Sequence, residues 1–362
     1  MWFDFLLAHH LIPDLFVRIG LWLHFLRRRL HDPINVEKRS KYMNEYLKIM
    51  KNQPIALSTE RANEQHYEVP TEFFKIVLGA RKKYSCCWYP KANLNYLFNK
   101  RRLVRDLDNA ESKMFEITAK RALIKNGESI LDLGCGWGSF TLYVAEKFPD
   151  CSITAISNSK TQKKYIEGIA KSMRYQNIKV ITANISDFSV DEFLKRNDRK
   201  EKFDRIISIE MFEHMRNYEM LMAKLSKILK PNGTLFIHIF ARSGLPYLMS
   251  VKKTSGFISK YFFTGGMMPS EDLILYFQEH FKIAQKWHIN GLHYYRTLMA
   301  WLKKLRMNRK AIKRIFDRAY GEGSGTKWYN YWKIFFISCG EMFRHAFGNR
   351  WFVVHYLLKK IK

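Results

Sequence analysis

The sequence is poor in residues that staple a chain or hold a metal. Five cysteines occur in 362 residues, at 86, 87, 135, 151 and 339, and none forms a C-x-x-C pair. An odd, unpatterned set argues against a disulfide framework and a structural zinc site, so no metal is expected and a reducing compartment is the default. Acidic charge is also scarce. Asp and Glu number 33 against 62 Lys and Arg, a formal net charge of +29. A field this positive favours anionic partners such as phospholipid headgroups, nucleic acid or acidic metabolites. No sequence-specific nucleic-acid module accompanies it. A long apolar run is missing too. The first thirty residues, MWFDFLLAHHLIPDLFVRIGLWLHFLRRRL, are interrupted by Asp4, His9, His10, Asp14 and Arg18. They fall short of the ~20 apolar residues of a membrane span. Without a basic leading region or an A-x-A site, they do not read as a secretory signal. They read as a helix that docks on the domain or lies on a membrane surface. The expected location is cytoplasmic, with peripheral contact at the inner face of an anionic membrane as an option.

Core-forming material is plentiful. Hydrophobic residues make up 47% and aromatics 15%, which excludes a disordered chain. Residues 1–110 read as a mostly helical N-terminal extension. From about 111 the texture changes to short apolar runs separated by amphipathic stretches. The runs are ESILDLG (128–134), CSITAIS (151–157), IKVITA (178–183), FDRIISI (203–209), GTLFIHIF (233–240), FKIAQKWHI (281–289) and WFVVHYLLKK (351–360). Strands alternating with helices predict βαβ units and a doubly wound, mostly parallel α/β sheet of seven strands. Between the last two runs lies a helical insertion over about 292–350, predicted to act as a lid. It is basic, with 15 Lys and Arg against 3 acidic residues over 301–362. Leu305, Ile312, Ile315 and Phe316 share one helical face there. That face suits an anionic membrane or an ordinary core.

The strongest local signal is ILDLGCGWGSF (130–140). A strand ends at Asp132, a glycine-rich turn carries Gly134, Gly136 and Gly138, and a helix starts near Ser139. Glycine lets the backbone meet a ligand closely. A dinucleotide fingerprint would need glycine at 139, where Ser139 stands. The second strand runs into AISNSKTQ (155–162), with no carboxylate to hold a ribose. SIEMFEHM (208–215) ends the fourth strand and places Glu210, Glu213 and His214 at i, i+3 and i+4, which predicts one shared helical face. Two carboxylates and an imidazole in a cleft can bind a cationic amine and take its proton, or hold an anion or water that does.

The form D-x-G-C-G-x-G resembles the first motif of class I S-adenosylmethionine (SAM) methyltransferases. NEQHYEVPTEFF (63–74), KYSCCWYP (83–90), SNSKTQ (157–162), SIEMFEHM, YFFTGGMMPS (261–270) and NGLHYYRT (290–297) resemble blocks of the cyclopropane-fatty-acid-synthase-like branch, and within it the coclaurine N-methyltransferases. The resemblance implies a Rossmann-like methyltransferase fold with SAM as cofactor. It implies that Tyr84 and Ser85 reach the methionine end beside Gly134 and Gly136, and that Ser157 and Gln162 take over the ribose. Asn184, in ITANISDF (181–188), would accept from the adenine amino group. Two acceptors follow from it: a small amine, or an unsaturated phospholipid acyl chain. In the second case a bound bicarbonate would take the proton from a pocket of Cys86, Glu213, His238 and Tyr294. Phe73, Phe74, Trp88, Tyr261, Phe262 and Phe263 are expected to wall the acceptor pocket, and a homodimer is a further expectation. A non-catalytic binding protein on a degenerate fold conflicts with the intact glycine turn and the intact E-x-x-E-H.

Overall fold

A computed structural model gives the fold and describes residues 2–9, 11–30, 32–57, 69–90, 102–186, 202–249 and 257–361. The first half of the block at 63–74, and the end of the block at 181–188, lie outside the described residues. The centre is a seven-stranded sheet of β1 (Ser129–Leu133), β2 (Ser152–Ser157), β3 (Ile178–Thr182), β4 (Phe203–Ile209), β5 (Leu229–Arg242), β8 (Phe281–Ile289) and β9 (Trp351–Lys360). Its order is β3-β2-β1-β4-β5-β9-β8. Neighbours from β3 to β5 run parallel, whereas β9 runs antiparallel to both β5 and β8. Parallel strands covered on both faces need continuous apolar runs, and Ile206, Ile207, Leu235, Phe236 and Ile237 are fully buried. A ribbon of β6 (Tyr247–Leu248) and β7 (Met267–Met268) stands apart.

Thirteen described α-helices surround the sheet. α1 (Trp2–Ala8) and α2 (Asp14–Leu30) come first, separated at Leu11-Ile12-Pro13, where proline cannot continue the preceding hydrogen-bond ladder. α3 (Val36–Lys51), α4 (Thr71–Val77), α5 (Arg102–Arg105) and α6 (Leu107–Arg121) complete the extension. Residue 110, where the sequence reading divides the chain, lies within α6, whose first half packs with the extension and insertion and whose second half packs against the sheet. α7 (Ser139–Lys147), α8 (Lys160–Ser172) and α9 (Tyr218–Ile228) alternate with the strands, and α10 (Phe257–Tyr261) follows the ribbon. The insertion is α11 (Gly291–Met307), α12 (Arg309–Tyr320) and α13 (Ser324–Arg344).

The N-terminal helices dock on the insertion. Asp14 pairs with Lys333 at 2.9 Å and with Arg306 at 2.5 Å, Arg18 pairs with Glu341, and Asn330 donates to the Ala8 carbonyl at 2.7 Å. The apolar stripe of the insertion faces inward: Leu305, Ile312 and Phe316 are fully buried and Ile315 nearly so. This corrects one of the two readings of the basic helix, because its apolar side is used up in the core and only its charged side meets solvent. The exposed apolar face lies on the N-terminal helices instead. Phe5, Leu11, Leu15, Ile19, Trp22 and Leu23 are each at least 43% exposed. Among the described residues, no helix is long and apolar enough to cross a membrane.

Candidate active site

A cavity of about 670 Å³ opens at the carboxyl ends of β1 and β4, with a smaller one of about 90 Å³ beside it. Open α/β sheets bind ligands in this place, where the strand order reverses. The floor of the large cavity is the turn after β1. Gly136 has φ 54°, and a Cβ built there meets nothing within 4 Å, so the space above it is open to a ligand. Gly134 lines both cavities. Gly138 has a packing role, since a Cβ there would come 2.5 Å from Ile166 on α8. Asp132 is buried, accepts from the Thr141 hydroxyl at 2.6 Å, and is pushed up to about 6 by burial. Tyr84 and Ser85 line the large cavity with the turn, and Lys83 donates to the Ser85 hydroxyl from behind.

The second strand ends as the sequence suggests. Ser159 caps α8 by accepting from the Gln162 N–H at 3.2 Å, which folds Gln162 back toward Ser157, and the Ser157 hydroxyl donates to Gln162 Oε1 at 2.7 Å. This polar pair lines the small cavity. Asn184 lines it too, but its Oδ1 already accepts from the Ser186 N–H at 3.2 Å and hydroxyl at 2.9 Å. Both lone pairs of the expected adenine acceptor are therefore engaged in its own turn. The open glycine floor, the Ser157–Gln162 pair and two connected cavities fit SAM: a backbone cradle for the methionine end, and hydroxyl and amide groups for the ribose.

The carboxylates converge, but not on one helical face. Glu210 takes φ 50°, a left-handed conformation costly for a side chain and found at functional sites. The chain then makes one 3₁₀ turn, Phe212–His214. The bend aims Glu210 back into the sheet, where its Oε1 accepts from the Cys86 N–H at 3.0 Å and lies 3.3 Å from His238 Nε2. Its Oε2 accepts from the Tyr294 hydroxyl at 2.5 Å. Glu213 and His214 line the same cavity. Both Glu213 oxygens are buried with no hydrogen-bond partner among the described residues. Burial and the neighbouring charge of Glu210 push the Glu213 carboxyl well above the usual range. Burial also raises Glu210, while Lys83, Tyr294 and the Cys86 N–H oppose the rise. His238 is fully buried and held well below an ordinary imidazole by burial.

The bicarbonate pocket expected of Cys86, Glu213, His238 and Tyr294 is corrected by this geometry. Cys86, His238 and Tyr294 aim their polar atoms at the carboxylate of Glu210. A second anion beside it would meet like charge and no free donor among these three. The Cys86 thiol is buried, does not line the cavity, and serves through its backbone N–H. The aromatic wall also differs. Phe73, Phe74 and Phe262 pack around Trp332 in the core, and Trp88 stacks on His293 at 4.4 Å. Of the six expected aromatics, Phe263 alone lines the cavity, joined by Tyr84, Trp137, Phe240 and Trp301, with Val17 and Phe25 of α2 opposite. Sequence reasoning missed His355, Arg121 and Lys83. His355 carried the signal that flagged His238, a lone histidine in an apolar strand.

The sequence profile described as mycolic acid cyclopropane synthetase matches residues 56–351. The chain belongs to the mycolic acid cyclopropane synthetase family. Proteins that resemble it differ in what their names say they do. (S)-Coclaurine N-methyltransferase of Thalictrum flavum subsp. glaucum is 35% identical over 315 residues, 86% of this chain and 82% of that protein. Cyclopropane-fatty-acyl-phospholipid synthase of Escherichia coli (strain K12) is 27% identical over 247 residues, 67% of this chain and 55% of that protein. The crystal structure of coclaurine N-methyltransferase bound to N-methylheliamine and SAH matches with a TM-score of 0.89 at 31% identity, covering 99% of each chain. Cyclopropane synthase MmaA2 from Mycobacterium tuberculosis shares the fold, with a TM-score of 0.65 at 20% identity over 84% of this chain and 98% of that one. Family and fold make the chain a SAM-dependent methyltransferase.

Proposed function

We propose that the chain methylates the nitrogen of a small amine with an apolar or aromatic body. The observation that carries this is the pair of buried carboxylates. Glu210 fills the polar niche that a bicarbonate would need, and Glu213 faces the cavity with two oxygens that have no hydrogen-bond partner among the described residues. The relatives named as N-methyltransferases support it. When bound, SAM supplies an electrophilic methyl group. Gly134, Gly136, Tyr84 and Ser85 hold its methionine end, and Ser157 and Gln162 its ribose; Asp132 and Gly138 shape that turn, and Asn184 closes the adenine side. Glu210 places a negative charge where the amine nitrogen becomes cationic. Glu213 takes the proton of the incoming ammonium, which its raised affinity allows and an ordinary carboxylate would not. His214 edges the same space, and the aromatic wall attracts the cation and buries the amine's body. The product leaves as a methylated ammonium, and Glu213 returns its proton to solvent.

The test is incubation with methyl-labelled SAM and a panel of secondary amines, beside a lipid extract, followed by phase separation. Label on an amine nitrogen is expected. Label in saturated cyclopropane chains would replace this reading with the lipid one.

Peripheral contact with an anionic membrane is part of the proposal, through the outer face of α2. Leu15, Ile19 and Trp22 stand exposed there, with Arg27 exposed one turn on. A net charge of +29 is attracted to anionic lipid and repels a second copy. Leu15→Glu with Trp22→Glu should abolish sedimentation with phosphatidylglycerol vesicles. A wild-type dimer lost in that variant would assign the face to a second copy. Five free thiols support a reducing, cytoplasmic setting.

A further inference from the structure

A row of polar side chains crosses the sheet behind Glu210, away from the cavity. The strand register builds it: Ile209 pairs with His238, His238 with His355, and His355 with Trp287. His238 Nδ1 lies 2.8 Å from His355 Nε2, and His355 Nδ1 lies 3.0 Å from Arg121 Nη1, at the last residue of α6. The Arg121 guanidinium sits 4.9 Å over the Trp287 ring, which fixes it in place. Both imidazoles are fully buried.

The row has a direction because one end can only donate. A guanidinium has no acceptor, so His355 Nδ1 must accept. The proton of His355 is then on Nε2, which donates to His238 Nδ1. The proton of His238 is in turn on Nε2, which donates to Glu210 Oε1. Burial holds both rings well below ordinary imidazoles, so each is neutral and carries one proton. With the arginine removed, the row can reverse. His238 Nε2 would then turn a lone pair toward Glu210, a contact tolerated only when Glu210 is protonated.

We infer that Arg121, acting through His355 and His238, fixes the tautomers of two buried imidazoles and so holds Glu210 as a carboxylate with a full set of donors. Arg121 and His355 are positioning residues: neither touches the cavity, and both act through His238. The kinetic consequence rests on the amine reading above, whereas the tautomers do not. The other groups that face Glu210 are Lys83, Cys86 and Cys87 from the segment after α4, Glu213 from its own turn, Tyr294 from α11 and Cys339 from α13. A change confined to Arg121 leaves all of them in place.

The full chain with ¹⁵N-labelled imidazoles reports the direction. Among the described residues, the 238–355 pair is the one that joins two imidazoles by an N–H···N bond, so a coupling across that bond identifies it. The donor in the wild type should be an Nε2 and the acceptor an Nδ1. Arg121→Met should lose or reverse that pattern, and Arg121→Lys should keep it. In kinetics, Arg121→Met should move the acid limb of kcat/KM up by about one pH unit, a tenfold loss below the limb. SAM affinity should stay unchanged, and Arg121→Lys should restore the limb. A wild-type proton on His238 Nδ1 would overturn the proposal, as would a folded Arg121→Met enzyme with an unmoved limb. If Arg121→Met does not fold, the wild-type spectrum still decides the direction. A wild type that methylates no amine would defeat the function proposed above and leave the tautomer measurement standing as the test of this one.

Discussion

Glu213→Gln removes the base and keeps the shape. An alkylamine with an ordinary pKa near 10 is free base to roughly one part in 10³ at pH 7. An enzyme that strips the ammonium proton in its site recovers most of that factor, and one that cannot must wait for the free base. The variant should therefore lose roughly 10²–10³ in kcat/KM at pH 7, within the usual range for a positioned base. The loss should shrink as pH rises toward the pKa of the amine and nearly vanish there. Stability should hold, because the variant exchanges one buried polar group without a partner among the described residues for another of the same shape and removes only its capacity to carry charge. SAM affinity should not change, since the proposed cofactor groups lie in the turns after β1 and β2 and at Tyr84 and Ser85, and Glu213 is not among them. The assay is the initial rate of methyl transfer from labelled SAM across pH 6–10, with calorimetry for SAM binding. Wild-type turnover with a wild-type pH profile would remove Glu213 from the mechanism. A uniform loss at every pH would assign it a binding role without proton transfer.

Gly136→Val should abolish SAM binding measured by calorimetry at a modest cost in melting temperature, because the new side chain enters open space and meets only backbone strain. Gly138→Ala should do the reverse, losing stability from the 2.5 Å approach to Ile166. Ser157→Ala with Gln162→Ala should weaken SAM by ~1–3 kcal/mol if ribose hydrogen bonds are lost. Glu111 is buried under Gly79, accepts the N–H of Arg81 at 2.9 Å and of Lys83 at 3.2 Å, and is pushed up to about 7 by burial. A carboxyl raised on folding costs stability as pH rises from its unfolded value near 4.5 to 7, by ~3 kcal/mol. Chemical denaturation across that window should show a shallower fall in Glu111→Gln than in the wild type.

The seven strands and the glycine turn were legible because their signals are local. A buried strand needs a short apolar run and a turn on each side, and β8 and β9 appear at the residues their runs occupy. The glycine floor is likewise written within five residues, and the paired carboxylates within four. Tertiary contact decided the rest. That β9 slips between β5 and β8 depends on edges formed far apart in the chain. The 3.6-residue period put Glu210 and Glu213 on one helix face, yet a left-handed turn at Glu210 sends its carboxylate to Cys86, His238 and Tyr294 and leaves that of Glu213 without a hydrogen-bond partner among the described residues. That turn is held by donors 84 and 124 residues away. An amphipathic stripe cannot say what it faces, so Ile312 and Phe316 entered the core while Leu15 and Trp22 remained outside. The row from Arg121 to Glu210 closes over 234 residues between Arg121 and His355. A lone histidine in an apolar strand shows only that some partner must exist, because a buried polar group without one is costly. Which partner it finds is set by the register of the sheet.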